Sequence, residues 1–217
     1  RAAINVIMAY LFGIGPATDL PSGFMAFVKT RPELAIPDIQ YLIRAVPPDA
    51  GPWIPGFGPK WKDGFGCRPV LLHPESRGRL ELASADPRAP IRIIQNFLST
   101  ENDKRTLRDG FKIAREVDNQ KPLDPFRGEE VMPGPKVKTD AEIDAHIRAT
   151  SATAHHPAGT CKMGIDDMAV VDPALKVRGI ASLRVIDSSV FPDLVGGNIN
   201  APTIMIAEKA SDLIRGR

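Results

Sequence analysis

The sequence predicts an α+β fold, in which short strands are interspersed with helices that open on capping residues. Three observations predict it. Ile39, Tyr41 and Ile43 alternate along residues 38–46 with the two-residue period of a strand. Thr100 with Asp103, and Thr139 with Glu142, stand at capping-box spacing ahead of helical apolar stripes. Residues 183–186 form a short, largely apolar strand signal, and a helical pattern follows from Ala201 to about Ile214.

Taken in order, residues 2–12 read as a buried helix halted by the Gly13-to-Pro16 breaker, and the strand at 38–46 is terminated by Pro47 and Pro48. Residues 50–66 are rich in Gly and Pro and contain both tryptophans, Trp53 and Trp61. They are too irregular for a core element and long enough for a lid or binding loop. Residues 67–73 and 79–84 read as strands joined by Pro74-Glu75-Ser76-Arg77-Gly78. A helix starts at Thr100, with Asp103 expected to answer its hydroxyl as a variant capping box and Leu107, Phe111, Ala114 and Val117 forming its inner stripe. Ile143, Ile147 and Thr150 do the same for the helix capped by Thr139. For the last helix, Asn200 is the expected N-cap, Pro202 sits in the first turn where a missing N–H costs nothing, and Gly216 marks the end.

Bulk composition is that of an ordinary globular chain: 217 residues, 43% hydrophobic and 25% charged, which is long enough to bury a core. The 28 basic and 26 acidic residues are interspersed and leave a net charge of +2, so no basic stripe points to nucleic acid. Cys67 and Cys161 stand far apart, which argues against a disulfide framework and fits a reducing, cytoplasmic compartment. No apolar run approaches the ~20 residues of a membrane helix, and residues 2–14 make a poor signal peptide. A chain opening on Arg1 agrees with a fragment or a processed product.

Chemistry concentrates in two segments, His155-His156-Pro157-Ala158-Gly159-Thr160-Cys161-Lys162-Met163-Gly164 and Gly196-Gly197-Asn198-Ile199-Asn200-Ala201-Pro202-Thr203. Histidine titrates near neutral pH and can take a hydroxyl proton. Adjacent side chains on an extended loop point in opposite directions, so only one of the two histidines should face a given site. A zinc centre needs several His or Cys ligands at short spacing, and the four histidines and two cysteines show no such pattern. An amide such as Asn198 can hydrogen-bond a developing alkoxide while staying neutral. By local sequence alone the simpler reading, a turn residue after two glycines, is the stronger one. Neither Gly13-Ile14-Gly15-Pro16 nor Gly56-Phe57-Gly58-Pro59 makes a dinucleotide-binding turn, since each lacks the third glycine and puts Pro where a phosphate-binding N–H is wanted.

Together the two segments resemble the C-terminal active-site signature of the glucose–methanol–choline (GMC) flavin oxidoreductases, and residues 27–34, 73–80 and 96–100 are similar to stretches of that family's substrate domain. The likeness is strongest to choline-dehydrogenase-like and alcohol-dehydrogenase-like members. It implies an antiparallel sheet backed by helices over residues 1–154, the substrate-binding domain. Residues 155–217 would supply an active-site loop and a C-terminal strand and helix that complete an α/β FAD-binding domain missing from this chain. It implies FAD as cofactor, a small-molecule alcohol as substrate, an N-terminal FAD-binding portion as partner, and a dehydrogenase in preference to an oxidase. It assigns the catalytic base to His156 and its partner to Asn198, and it places Asp187, Ser188, Asn200, Ala201, Pro202 and Thr203 beside the flavin. Trp53, Phe57, Trp61 and Phe65 would belong to the substrate roof. Two other readings are compatible with the residues: a non-catalytic remnant that binds no flavin by itself, and a metal-assisted enzyme using His156 and Cys161.

Overall fold

A computed structural model describes residues 2–14, 24–45 and 64–217. The proposed lid with Trp53, Phe57 and Trp61, and the prolines after the 38–46 strand, lie outside the described residues. Helix α1 (Ala2–Phe12) is followed by strands β1 (Phe24–Val28), β2 (Ile39–Arg44) and β3 (Gly66–Leu71), which form an antiparallel sheet in that order. Strands β4 (Arg79–Glu81) and β5 (Arg92–Ile94) pair with each other in a small second sheet, so the two strands expected at 67–73 and 79–84 belong to different sheets. Helices α2 (Glu101–Asp118), α3 (Asp140–Thr150) and α4 (Asn200–Arg215) complete the regular structure. Two strands escaped the sequence reading: β1, a five-residue run without alternation, and β5, which has three residues.

The pleat of β2 organises the molecule. Its odd-numbered face carries Ile39 and Tyr41, both buried, with Ile43 behind them, and packs on α2. Contact there is close because α2 offers Gly110: a Cβ at that position would lie 3.0 Å from Ile39 Cγ1. The Tyr41 hydroxyl donates to the Gly110 carbonyl at 2.7 Å. The inner stripe of α2 is therefore Asp103, Thr106, Gly110 and Ala114. The larger Leu107 only flanks the cluster and Val117 is exposed, because a helix this near a sheet needs small residues at the seam. α3 docks on α2 through the Arg108 guanidinium, which forks onto both oxygens of Asp144 at 2.6 and 2.5 Å.

Caps form as the side chains demand. Thr139 and Glu142 make a reciprocal capping box, and Ile143 and Ile147 are buried as expected, whereas Thr150 is exposed and returns its hydroxyl to the His146 carbonyl. Thr100 caps α2, but Asp103 does not reciprocate. Its carboxylate instead accepts the Glu75 and Ser76 amides at 2.8 and 2.9 Å, pinning the loop after β3 to the start of α2.

A second core, separate in sequence, joins Val171, Leu175, Val190 and Phe191 to Ile206 and Ala210 of α4. Each such side chain contributes roughly 1.5–3 kcal/mol when fully buried. Residues 183–186 do not form a strand here: Arg184 makes only an isolated bridge with Lys176. Around that bridge the pairing is limited to the Val177 amide on the Leu183 carbonyl and the Val185 amide on the Leu175 carbonyl. Leu183 is exposed, as are Ile204, Met205 and Ile214 on the outer side of α4. The helix at 2–12 forms, but Tyr10, Leu11 and Phe12 are exposed and not buried as their apolar character suggested. Among the described residues no helix is long and apolar enough to cross a membrane.

Asp103 makes a sharp test of this scaffold. Burial works to raise its pKa, but hydrogen bonds from the Ser76 hydroxyl, the Glu75 and Ser76 amides and the Thr100 hydroxyl outweigh it and hold the carboxyl below its ordinary value. In the window between the lowered folded value and the unfolded one of about 3.9, the unfolded chain binds more protons. The stabilisation is thus full above the unfolded value and lost as pH falls through the folded one. Asp103→Asn turns an N–H toward one of the two amides and is expected to cost about 1–3 kcal/mol at pH 7. The cost should shrink as both proteins are melted at progressively lower pH, and a penalty independent of pH would contradict this account.

Candidate active site

Two loops converge beside the sheet. The loop expected to run extended through both histidines is broken at His155, whose φ is +62°. Its amide donates to Thr153 Oγ1 at 3.0 Å. The separation of the two rings thus comes from a left-handed turn and not from strand alternation. His155 is exposed and His156 is half-buried. Beyond them the chain is stitched to residues 188–190: the Cys161 amide donates to the Ser189 carbonyl at 2.9 Å and the Met163 amide to the Val190 carbonyl at 2.8 Å. The Ser188 hydroxyl donates to the Pro157 carbonyl at 3.3 Å. Val190 is fully buried beneath, with Ala158 and Met163 packed on the same core. The histidine loop therefore rests on a rigid floor.

Residues 196–198 form the other wall. Gly197 lies against Phe27 of β1, and Gly196 lies against His73, whose ring atoms would be 3.2 and 3.3 Å from a Cβ there. Among the described residues His73 Nε2 is buried without a hydrogen-bond partner, and the ring fills the space beside Gly196. Asn198 emerges beyond the glycines, and its Nδ2 lies 2.9 Å from His156 Nε2. Its Oδ1 accepts from Gln40 Nε2 at 3.2 Å. Gln40 belongs to the even-numbered face of β2, opposite Ile39 and Tyr41, and is buried to 3% exposure. The sheet is thus a partition, with α2 on one side and Asn198 on the other.

His156 and Asn198, singled out from sequence, are brought into contact across 42 positions. Asp187 is occupied locally: its carboxylate accepts the Ser189 amide at 2.7 Å and caps a short 3-10 turn, while Ser188 braces the histidine loop as described. Asn200 is not the N-cap of α4. It is the first helical residue, Ile199 holds the cap position, and no side chain caps the helix. Sequence placed the cap one residue late because Asn is the more favourable capping type, whereas the turn after Gly197 brings Ile199 to the helix entry. The backbone N–H groups of Asn200 and Ala201 consequently head an uncapped helix, beside the residue that holds His156. Pro202 has no N–H to leave unpaired, and the Thr203 hydroxyl bonds back to Ile199 at 2.7 Å.

Cys67 and Cys161 are free thiols. Burial, reinforced by the Asp118 carboxylate, pushes the Cys67 thiol up to about 12, so it stays protonated and unreactive. Among the described residues no three His, Cys, Asp or Glu side chains are grouped to hold a metal ion. Phe65 lies just before β3, half-buried. Gln40 and Met25 escaped the sequence reading as site residues. The only sequence signal was a polar residue between the apolar Ile39 and Tyr41, which a solvated strand face explains as readily.

Gly159 has φ +87° and its absent Cβ would lie 3.4 Å from the Phe191 carbonyl. Gly159→Ala is expected to cost roughly 1–3 kcal/mol through backbone strain. It should do so by lifting the histidine loop, so backbone amide exchange at Cys161 and Met163 should accelerate more than exchange within α2. Uniform acceleration would argue against a loop-specific effect.

Residues 74–207 match the family model described as GMC oxidoreductase. Over 205 residues, 94% of this chain, the sequence is 44% identical to an oxygen-dependent choline dehydrogenase of Pseudomonas putida, and the match spans 35% of that protein. Pyridoxine 4-oxidase from Mesorbium loti superposes with a TM-score of 0.80 at 27% identity, covering 91% of this chain and 38% of that one. An FAD-dependent oxidoreductase from Chaetomium thermophilum gives a TM-score of 0.70 at 25% identity, covering 83% and 28%. The chain thus spans about a third of the length of the curated relatives it matches. With the paired His156 and Asn198 loops and the sheet beside them in the same region, the chain belongs to the GMC oxidoreductase family and corresponds to its C-terminal part.

Proposed function

We propose that this chain is the C-terminal part of an FAD-dependent alcohol oxidoreductase, with residues 1–154 forming mostly its substrate-binding domain and residues 155–217 returning to its FAD-binding domain. The two separate cores, one in each span, support the division. The observation that carries the function is the 2.9 Å contact between His156 Nε2 and Asn198 Nδ2, on loops 42 positions apart in sequence. The residues present fit a flavin: the uncapped start of α4 offers backbone donors and a positive dipole end to an anionic ring edge. Asn200, Ala201, Pro202 and Thr203 would lie along that edge, and Asp187 and Ser188 nearer the ribityl and phosphate portion. When bound, FAD accepts the hydride from the alcohol carbon.

Protein side chains manage the proton. An amide NH2 only donates, so His156 Nε2, facing Asn198 Nδ2, presents a lone pair. A substrate hydroxyl that displaces this contact accepts from Asn198 and donates to His156 Nε2. As the C–H bond breaks, the O–H proton moves to His156 and Asn198 stabilises the negative charge growing on oxygen. An aldehyde or ketone results. The relatives' names point to a dehydrogenase and make choline the first alcohol to test.

In the flavin-loaded full-length protein, His156→Ala is expected to slow single-turnover flavin reduction by ~10²–10⁴, with His155→Ala much milder. Asn198→Ala should slow the same step without loss of bound flavin or melting temperature, and Asn198→His should restore part of the rate. Wild-type reduction rates in His156→Ala would refute the assignment. A lowered melting temperature with an unchanged rate would make Asn198 a turn residue only.

A further inference from the structure

An imidazole serves as a base at Nε2 only when its proton sits on Nδ1, and a histidine in water favours the opposite tautomer. A row of side-chain contacts on the sheet leads to His156 Nε2. The Gln40 amide nitrogen lies 3.0 Å from Met25 Sδ and 3.2 Å from Asn198 Oδ1. A thioether sulfur only accepts, so it selects the nitrogen end of the Gln40 amide. That nitrogen in turn selects the oxygen end of Asn198. With its oxygen engaged, Asn198 can offer only N–H to His156. Each choice of orientation is forced by the one before it, and the chain of donation runs from a buried strand to the lone pair of the base.

We propose that Gln40, locked by Met25, is a positioning residue that sets the tautomer of His156 through Asn198. This rests on the reading of His156 as the base, but it concerns a separate, directly observable property of the ring. Gln40 is suited to the role because it is one of very few buried polar side chains on the described strands, and its register places it diagonal to Met25 across the β1–β2 ladder, where Phe27 pairs with Gln40 and Met25 with Leu42. A polar side chain at this depth costs stability unless it is hydrogen-bonded, and both its amide protons are used here. Asn198 itself is exposed, so without Gln40 its amide is free to reverse and present oxygen to a protonated His156 Nε2.

The test uses the flavin-loaded full-length protein with 15N-labelled histidine, the His156 signals being assigned by their loss in His156→Ala. In the wild type, two-bond 1H–15N correlations should show His156 Nε2 bare and Nδ1 protonated. Gln40→Met keeps side-chain length and removes the donor. It should move the proton to Nε2 in a large share of molecules and lower the rate of flavin reduction roughly 10- to 100-fold, with KM and bound flavin little changed. Met25→Leu, a mild change at a half-exposed position, should shift the tautomer in the same direction to a smaller extent and covers the case in which Gln40→Met does not fold. A His156 tautomer unchanged in the folded variants would overturn the proposal. A tautomer that shifts while both Gln40→Met and His156→Ala reduce flavin at the wild-type rate would leave Gln40's positioning role standing and refute the base assignment alone.

Discussion

Double burial of strand β2 is the constraint on which the rest of the structure depends. A strand at the centre of a three-stranded sheet has both backbone edges paired, and here both side-chain faces are covered as well. Ile39 and Tyr41 anchor it to α2, so it cannot slide by one residue without sending Gln40 into an apolar core and Ile39 toward an amide. Register and polarity are thereby fixed together. The hydrophobic side sets where the strand lies, and the polar side inherits that precision at the Asn198 loop.

The glycines work in the same direction. Gly110 lets α2 approach Ile39, and Gly196 lets the site loop approach His73. Both are places where two elements meet more closely than a side chain permits. Between them, a lateral chain of contacts runs from α2 through the sheet to the 196–198 loop. The 155–163 segment reaches Asn198 from the other side, supported by Val190 and Phe191 and not by the sheet. Val195 and Ile199, on either side of the Asn198 turn, pack on that same second core, so His156 and Asn198 both stand on it while the Gln40 amide ties Asn198 to the sheet.

Local physics was legible in the sequence wherever it was decided locally. The Thr139–Glu142 box, the Thr100 cap, the Gly216 stop and the face of β2 bearing Ile39 and Tyr41 all follow from spacing, and all are present. Reading failed where a residue served a distant partner. Asp103 abandoned its own cap for the Glu75 and Ser76 amides, and the α2 seam chose Gly110 over Val117 because the sheet lies so near. Residues 183–186 pair with the 175–177 segment at a single bridge and do not extend into a strand. At the site, His156 and Asn198 could be named from their motifs, whereas Gln40 could not, since its partner lies 158 positions away and Gln between two apolar residues of a strand signals nothing by itself.

The bare contact between His73 and Gly196 has a consequence for how these positions change together. The imidazole fills the space that a side chain at 196 would occupy, and among the described residues its buried Nε2 makes no hydrogen bond. What the site requires is a fixed sum of volumes at the two positions. Relatives that carry a side chain in place of Gly196 should carry a slimmer or redirected residue in place of His73. Such correlated exchange would preserve the placement of Asn198 while altering both residues.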